Sequence, residues 1–179
     1  MKLETNWQGI RRLFNKAFSS SLHYSMATVT PDGMPHVTPV GSLLLREPGH
    51  AIYFEEFTQR MPLHFRGNQN VCVLAVRSGL GFWISALIRG GFKTPPAIRL
   101  HGTVGAPRAA TSEEIQAWQR RVGRLRFTRG HRMMWANMRT VRDVYFTRAD
   151  AIRMGAMTRA CWEEFGERPH SEAGAQARA

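Results

Sequence analysis

The spacing of apolar residues predicts a helix near the start of the chain. Four large apolar side chains recur at helical spacing and would share one face: Trp7, Ile10, Phe14 and Phe18. Asn6 precedes this stripe and is a favoured N-cap residue, so the helix is expected to run from Asn6 to about Ser20. A stripe of this kind is typical of a helix that packs over a sheet.

Short segments rich in β-branched and aromatic residues then predict a sheet that begins as a meander. The predicted strands are 24–30, 35–45, 51–55, 71–77 and 97–105, with a closing pair at 141–147 and 151–154. Pro31, Asp32 and Gly33 supply the first turn. Pro39 and Gly41 interrupt the second strand, which indicates a bulge or a close approach of another group to the backbone.

Helices are predicted between and after the strands. Residues 58–68 form a short helix with Pro62 in its first turn, where proline is tolerated. Thr111 and Glu114 have the spacing of a capping box, so a helix is expected from there to about residue 125, followed by a short one at 129–139. The segment 79–91 is ambiguous and is interpreted as a loop with a short helix or strand.

These elements predict one domain over residues 1–165 and a disordered tail at 166–179, where the sequence becomes rich in Gly, Ala and charge. Many short strands with few helices indicate a small antiparallel barrel with peripheral helices. The lack of regular strand–helix alternation argues against a Rossmann-type sheet.

Composition adds a strong positive charge. The 179 residues carry 25 Lys and Arg against 13 Asp and Glu, a formal net charge of +12, which favours anionic partners. Most of the basic residues are arginines, which bind phosphate well, although a GC-rich genome gives the same bias. No apolar run approaches the length of a membrane span and no signal peptide is evident, so a cytoplasmic protein without a membrane partner is expected.

Familiar catalytic and metal-binding motifs are missing. The sequence has no Gly-x-Gly-x-x-Gly, no Walker loop, no His-Glu-x-x-His and no Gly-x-Ser-x-Gly. Cys72 and Cys161 form neither a disulfide framework nor a zinc pattern, and no pair of carboxylates stands out. No catalytic residue and no metal site are therefore assigned.

Residues 27–41 read Ala-Thr-Val-Thr-Pro-Asp-Gly-Met-Pro-His-Val-Thr-Pro-Val-Gly, and this segment resembles the opening hairpin of the pyridoxamine 5′-phosphate oxidase-like family. The following strand, helix and Asn-containing turn come in the family's order, so that the resemblance covers residues 7–105. It implies a mainly β (α+β) fold: a six-stranded antiparallel split β-barrel with peripheral helices. It also implies a homodimer with two FMN molecules at the interface.

The resemblance also implies which residues bind the cofactor. The second strand's backbone would run along the flavin ring at Thr38, Pro39, Val40, Gly41 and Ser42. Gly41 leaves room for a flat ring, although a bulge that only curves the barrel would need the same residue.

The phosphate would lie where the third strand passes into the helix, at Thr58, Gln59 and Arg60. Alternatively, Thr58 is merely an N-cap and Arg60 a solvated residue. Three departures from the family pattern occur: Thr58 and Arg60 lie about one residue further upstream than usual, His64 stands where asparagine is frequent, and Pro62 is unusual.

Trp135 and Arg139 would reach the cofactor from the partner subunit. Aromatic residues in such positions are also common as core or interface anchors, and Arg139 could equally be solvated.

Three functions follow from these observations. The first is an FMN-dependent oxidoreductase that acts on a small molecule of unknown identity. A reduced nicotinamide is a candidate electron donor for it. The second is a non-catalytic flavin, F420 or haem binding protein acting as carrier or sensor. The third is a nucleic-acid-binding barrel, which the net charge suggests but the scattered basic residues and the lack of paired strand aromatics disfavour.

Overall fold

The computed structural model describes residues 2–163 of the chain. Within them a seven-stranded antiparallel sheet has the spatial order β2-β1-β5-β6-β7-β4-β3. The strands are β1 (Tyr24–Val29), β2 (Pro35–Val40), β3 (Leu43–Leu45), β4 (His50–Phe54), β5 (Asn70–Val76), β6 (Ala97–Ala109) and β7 (Thr140–Ala151). Strands β2 and β3 are therefore the two edges of the sheet.

Six α-helices and one 3₁₀ turn connect or cover these strands. They are α1 (Leu3–Ser21), α2 (Met61–His64), α3 (Leu80–Arg89), α4 (Ser112–Val122), α5 (Arg129–Met134) and α6 (Ala156–Glu163), with the 3₁₀ turn at Gly123–Leu125. Across residues 2–163, none of the helices has the length and apolarity needed to cross a membrane.

Helix α1 carries the predicted apolar face into the main core. Trp7, Ile10 and Phe14 are almost fully buried there, and the helix packs against strands β5 and β6. Full burial of such side chains contributes about 1.5–3 kcal/mol each. The predicted N-cap is wrong: the helix starts at Leu3, and the Asn6 side-chain amide donates to the Lys2 carbonyl from within the first turns.

The opening hairpin has the predicted geometry. Val29 pairs with Pro35 and Tyr24 pairs with Val40 at its two ends. Gly33 takes a φ of 83° in the turn, a conformation that favours glycine. The hairpin therefore places β2 on the outside of the sheet, with β1 between it and β5.

A second apolar cluster lies under α4. Trp118 and Val122 of this helix pack against Ile52 and Phe54 of β4 and against Val141 of β7. The predicted capping box is confirmed, since the Thr111 side chain accepts from the Glu114 amide while the Glu114 carboxylate accepts from the Thr111 amide. The cap fixes the start of α4 over this cluster.

The mainly β, α+β architecture is confirmed, with differences in single elements. The predicted strand 35–45 divides at residues 41–42 into β2 and β3, and the described sheet has seven strands where the resemblance implied a six-stranded barrel. The predicted closing pair 141–147 and 151–154 is one strand, β7, and 79–91 contains the ten-residue helix α3. The predicted tail 166–179 lies outside the described residues.

Candidate functional site

A pocket of about 230 Å³ opens between the edge strand β2 and the loop that leads into α2. Its lining comes from two short stretches of sequence: His36 and Thr38 on one side, and Phe57, Thr58, Gln59, Arg60 and Met61 on the other. The structure thus brings together four of the residues predicted for a cofactor site.

Strand β2 positions His36 and Thr38 by its alternation. Both lie on the half-buried face of the strand, while Pro35, Val37 and Pro39 are exposed. The Thr38 hydroxyl oxygen lies 3.3 Å from His36 Nδ1. The sequence analysis did not assign His36 to the site, although its position two residues before Thr38 on a predicted strand was a usable signal.

His64 lies behind the pocket rather than in its lining. Its side chain is buried, with Nδ1 at 2.9 Å from the Thr28 hydroxyl of β1, and its ring meets that of His36 edge-on at 4.9 Å. Burial, assisted by the nearby His36 and Arg60 charges, lowers the pKa of His64. The imidazole is therefore neutral at pH 7, able to donate one hydrogen bond and accept another.

The loop before α2 differs from the predicted helix start. The amide and the hydroxyl of Thr58 both donate to the Glu55 carbonyl, each at 3.0 Å. The four-residue helix α2 begins at Met61, so Thr58 is not its N-cap. Gln59 and Arg60 are exposed, and within residues 2–163 Arg60 makes no ion pair with a carboxylate.

A buried polar network supports this loop from below. The Arg142 guanidinium pairs with the Glu55 carboxylate and donates to the Gly105 carbonyl at 3.0 Å. The Tyr53 hydroxyl donates to the same carboxylate at 3.3 Å, and burial raises the pKa of Tyr53. Because these groups satisfy one another, they hold the end of β4 at a fixed position beside Thr58.

The remaining residues predicted on the second strand serve the interior of this chain. Val40 is buried opposite Tyr24, and the buried Ser42 hydroxyl donates to the Phe54 carbonyl at 2.8 Å. A β-carbon at Gly41 would lie 2.9 Å from the Leu22 carbonyl oxygen. None of the three lines the pocket, and Pro39 faces outward on the edge strand.

Trp135 and Arg139 also lie outside the pocket lining. The Trp135 ring packs edge-on against Trp118, and its carbonyl accepts from the Gln119 side-chain amide at 2.9 Å. Arg139 has an exposed side chain, while its backbone amide donates to Glu56 in the loop between β4 and α2. Arg139 is thus attached to the same loop as Thr58.

The donor set of the pocket fits the phosphate end of a flavin nucleotide. Arg60 offers a guanidinium that pairs with no carboxylate of the described part of the chain, and Gln59 offers a side-chain amide, whereas the Thr58 proton is already donated to Glu55. A volume of 230 Å³ is smaller than the roughly 300–1,000 Å³ of complete ligand sites. The pocket can therefore hold only part of such a cofactor within one chain.

No protein-family model matches this chain, and no curated protein matches it. Among solved structures, HupZ of Group A Streptococcus is similar with a TM-score of 0.54 at 16% identity, over 84% of this chain and 96% of that one. An FMN-binding protein from Syntrophomonas wolfei subsp. wolfei is similar with a TM-score of 0.54 at 11% identity, over 84% and 94%. These identities establish the fold alone, and the chain has the predicted split-barrel fold of the pyridoxamine 5′-phosphate oxidase-like proteins.

Proposed function

We propose that the chain binds FMN at the β2–α2 pocket and acts as an FMN-dependent oxidoreductase on a small molecule. The observation that carries this proposal is the convergence of Thr38 with Thr58, Gln59 and Arg60 around one cavity. Two separate parts of the sequence suggested these residues, and β2 and the α2 loop place them side by side. The shared fold with an FMN-binding protein is consistent with it.

In this proposal Arg60 and Gln59 hold the phosphate. The exposed guanidinium of Arg60 can form two parallel hydrogen bonds to phosphate oxygens, and no carboxylate among the described residues competes for it. Thr58 would contribute by turning its hydroxyl away from the Glu55 carbonyl. His64 packs edge-on against His36 behind the β2 side of the pocket.

The flavin ring would lie along β2, and a second copy of the chain would complete the site. The pocket is too small for the whole cofactor. Exposed apolar side chains lie in its lining, at Phe57, and at positions close in sequence to the lining residues, at Met34, Val37 and Leu63. An apolar patch around an incomplete polar site is typical of an interface. Trp135 and Arg139 are the candidates for the second copy's contribution.

Bound FMN would supply the chemistry, accepting a hydride from a donor such as a reduced nicotinamide and passing electrons to the substrate. The chain's own groups bind and orient the cofactor, which agrees with the absence of an evident acid–base dyad. The alternative is a non-catalytic carrier or sensor of flavin, F420 or haem. The adjacent imidazoles of His36 and His64 are the observation that favours haem within this alternative.

The first test is the absorption spectrum of the purified protein, followed by release and identification of any chromophore. We expect flavin absorption bands at about 450 and 370 nm and release of FMN. The loaded protein should then turn over with reduced nicotinamide. A deazaflavin or haem spectrum, or binding without turnover, would favour the alternative. A colourless protein that does not bind added FMN would refute flavin binding.

A variant pair tests the phosphate site. Arg60→Gln is expected to weaken FMN binding about 10- to 100-fold, the equivalent of losing one charge-assisted contact, while riboflavin, which lacks the phosphate, binds as before. Arg66→Gln is the matched control, because Arg66 is exposed nearby but does not line the pocket. If Arg60→Gln weakens the binding of FMN and riboflavin equally, or if both variants lose the same affinity for FMN, the phosphate binds elsewhere. Both affinities are measured by fluorescence titration.

A further inference from the structure

A second pocket of about 230 Å³ lies between α1 and the segment that joins β5 to β6. Its polar lining includes Arg12, Lys16, Arg77, Lys93 and Thr94, and none of the lining residues within 2–163 is acidic. It shares no residue with the β2–α2 pocket. Four cations from three parts of the sequence therefore face one small cavity.

Arg77 is held in position before any ligand arrives. Its guanidinium donates to the Thr94 hydroxyl at 2.7 Å and stacks on the Phe82 ring, 3.6 Å from the centroid. The Trp83 indole donates to the Arg77 carbonyl at 2.6 Å, and the Arg77 amide donates to the Pro96 carbonyl. These contacts use one face and one edge of the guanidinium, which leaves other N–H groups available.

Among the described residues, the cations of this cavity have no carboxylate partner. Burial lowers the pKa of Arg77. Arg12 and Lys16 lie four residues apart on α1, a spacing at which like charges repel. Within residues 2–163, none of Arg12, Lys16, Arg77 and Lys93 forms an ion pair with a carboxylate. Arg12, Lys16 and Lys93 are exposed, so water screens part of their mutual repulsion, and an anion bound among them would offset the remainder.

We propose that this pocket is a binding site for the phosphate group of a phosphate ester. Arg77 would bind two oxygens in parallel, with Lys93 and Lys16 as point charges and the Thr94 hydroxyl as a further polar partner. The phosphate can come from a soluble metabolite or from a phospholipid headgroup. Helix α3 begins close to Arg77 and exposes an apolar stripe, Leu80, Ile84, Leu87 and Ile88, which a lipid would also contact.

The test uses the whole protein and two matched double variants. Arg12→Gln with Lys93→Gln removes one arginine and one lysine from the pocket. Arg11→Gln with Lys2→Gln removes the same residue types outside it, at exposed positions of α1 and its N-cap. Binding of inorganic phosphate and glycerol 3-phosphate is measured by calorimetry at constant ionic strength. Co-sedimentation is measured with vesicles of phosphatidylglycerol and phosphatidylcholine, and of phosphatidylcholine alone.

The pocket variant is expected to bind the successful probe about tenfold more weakly, and the control variant to bind it like the wild type. Binding of the soluble phosphates in this pattern supports the site with a soluble ligand. Binding of only the anionic vesicles in the same pattern supports it with a lipid headgroup. The proposal is overturned if neither the soluble phosphates nor the anionic vesicles bind, or if both double variants lose the same binding affinity.

Discussion

At Gly41, where β2 ends, the chain passes close to the carbonyl of Leu22, the residue that caps α1 in a left-handed conformation with φ 62°. A β-carbon at Gly41 would lie 2.9 Å from that backbone oxygen, closer than real contacts allow. Since backbone oxygen cannot rotate away as a flexible side chain does, the end of β2 or the cap of α1 would have to shift. The glycine is thus required by the fold before any cofactor binds.

We therefore expect Gly41→Ala to destabilise the cofactor-free protein by about 1–3 kcal/mol, the usual cost of overpacking. Chemical denaturation measures this change directly. Gly67→Ala is the control, because a β-carbon there meets nothing within 4 Å and φ is not positive. An unchanged stability combined with lost FMN binding would instead assign Gly41 to the flavin ring.

The sequence could predict that Gly41 allows a close approach, but not which group approaches. Pro39 and Gly41 in one strand indicate a break, and the break occurs at residues 41–42. The partner, Leu22, becomes a neighbour only when α1 and β2 are placed together. Gly102 is a similar case, since a β-carbon there would lie 2.0 Å from the Tyr145 carbonyl at a β6–β7 register shift.

At the scale of elements, an ion-pair network around Arg108 joins four of them. This side chain of β6 donates to Asp143 of β7 at 2.7 and 2.8 Å and to Glu114 of α4 at 2.7 and 2.9 Å. His50 of β4 lies 2.9 Å from the same Asp143 carboxylate. Hydrogen bonds from Arg108, with a smaller contribution from His50, lower the pKa of Asp143 to about 2.

This shift predicts the pH dependence of stability. An unfolded aspartate titrates near about 3.9, so between about pH 4 and pH 2 the folded protein binds fewer protons at Asp143 than the unfolded chain does. The stabilisation is therefore complete above pH 4 and is lost as the pH falls towards 2. Asp143→Asn should lower the free energy of unfolding at pH 7 by about 1 kcal/mol, allowing for solvent screening, and flatten this part of the acid transition.

Thermal unfolding at a series of pH values tests the prediction, with Glu4→Gln as a control carboxylate that is exposed on α1. The control should keep the wild-type acid slope. An Asp143→Asn profile parallel to that of the wild type would mean that the network does not hold these elements together.

Local sequence signals predicted the elements whose partners are adjacent in the chain. The hairpin of β1 and β2 and the capping box of α4 are examples, because turn and cap residues determine both. Strand β7 was predicted as a pair because its continuous pairing with both β4 and β6 depends on distant residues. Helix α2 was predicted too long, since Thr58 bonds back to Glu55 instead of starting a helix.

The whole molecule carries two pockets of different character. The incomplete β2–α2 pocket lies at one edge of the sheet, where no strand within residues 2–163 pairs with the outer side of β2. The second pocket lies beside α1, shares no lining residue with the first, and holds cations that form no ion pair with a carboxylate within residues 2–163. Part of the net charge of +12 is therefore concentrated at the second pocket, where it would favour the binding of an anion. Composition alone could not show this concentration.

The proposed homodimer would place the partner at the sheet edge beside the first pocket, and it can be tested at Val37. This side chain is 62% exposed on the outer strand, so lysine in its place should leave the fold of one chain intact. We expect sedimentation to show a dimer for the wild type and a monomer for Val37→Lys, because charge on an edge strand opposes pairing with another chain. FMN binding should be lost together with the dimer. Ile88→Lys on α3, exposed but distant in sequence from β2, should retain both the dimer and FMN binding.

Two outcomes would contradict this prediction. A Val37→Lys protein that still dimerises and binds FMN would exclude this edge as the interface. A monomeric wild type that binds FMN tightly would show that one chain suffices for the site.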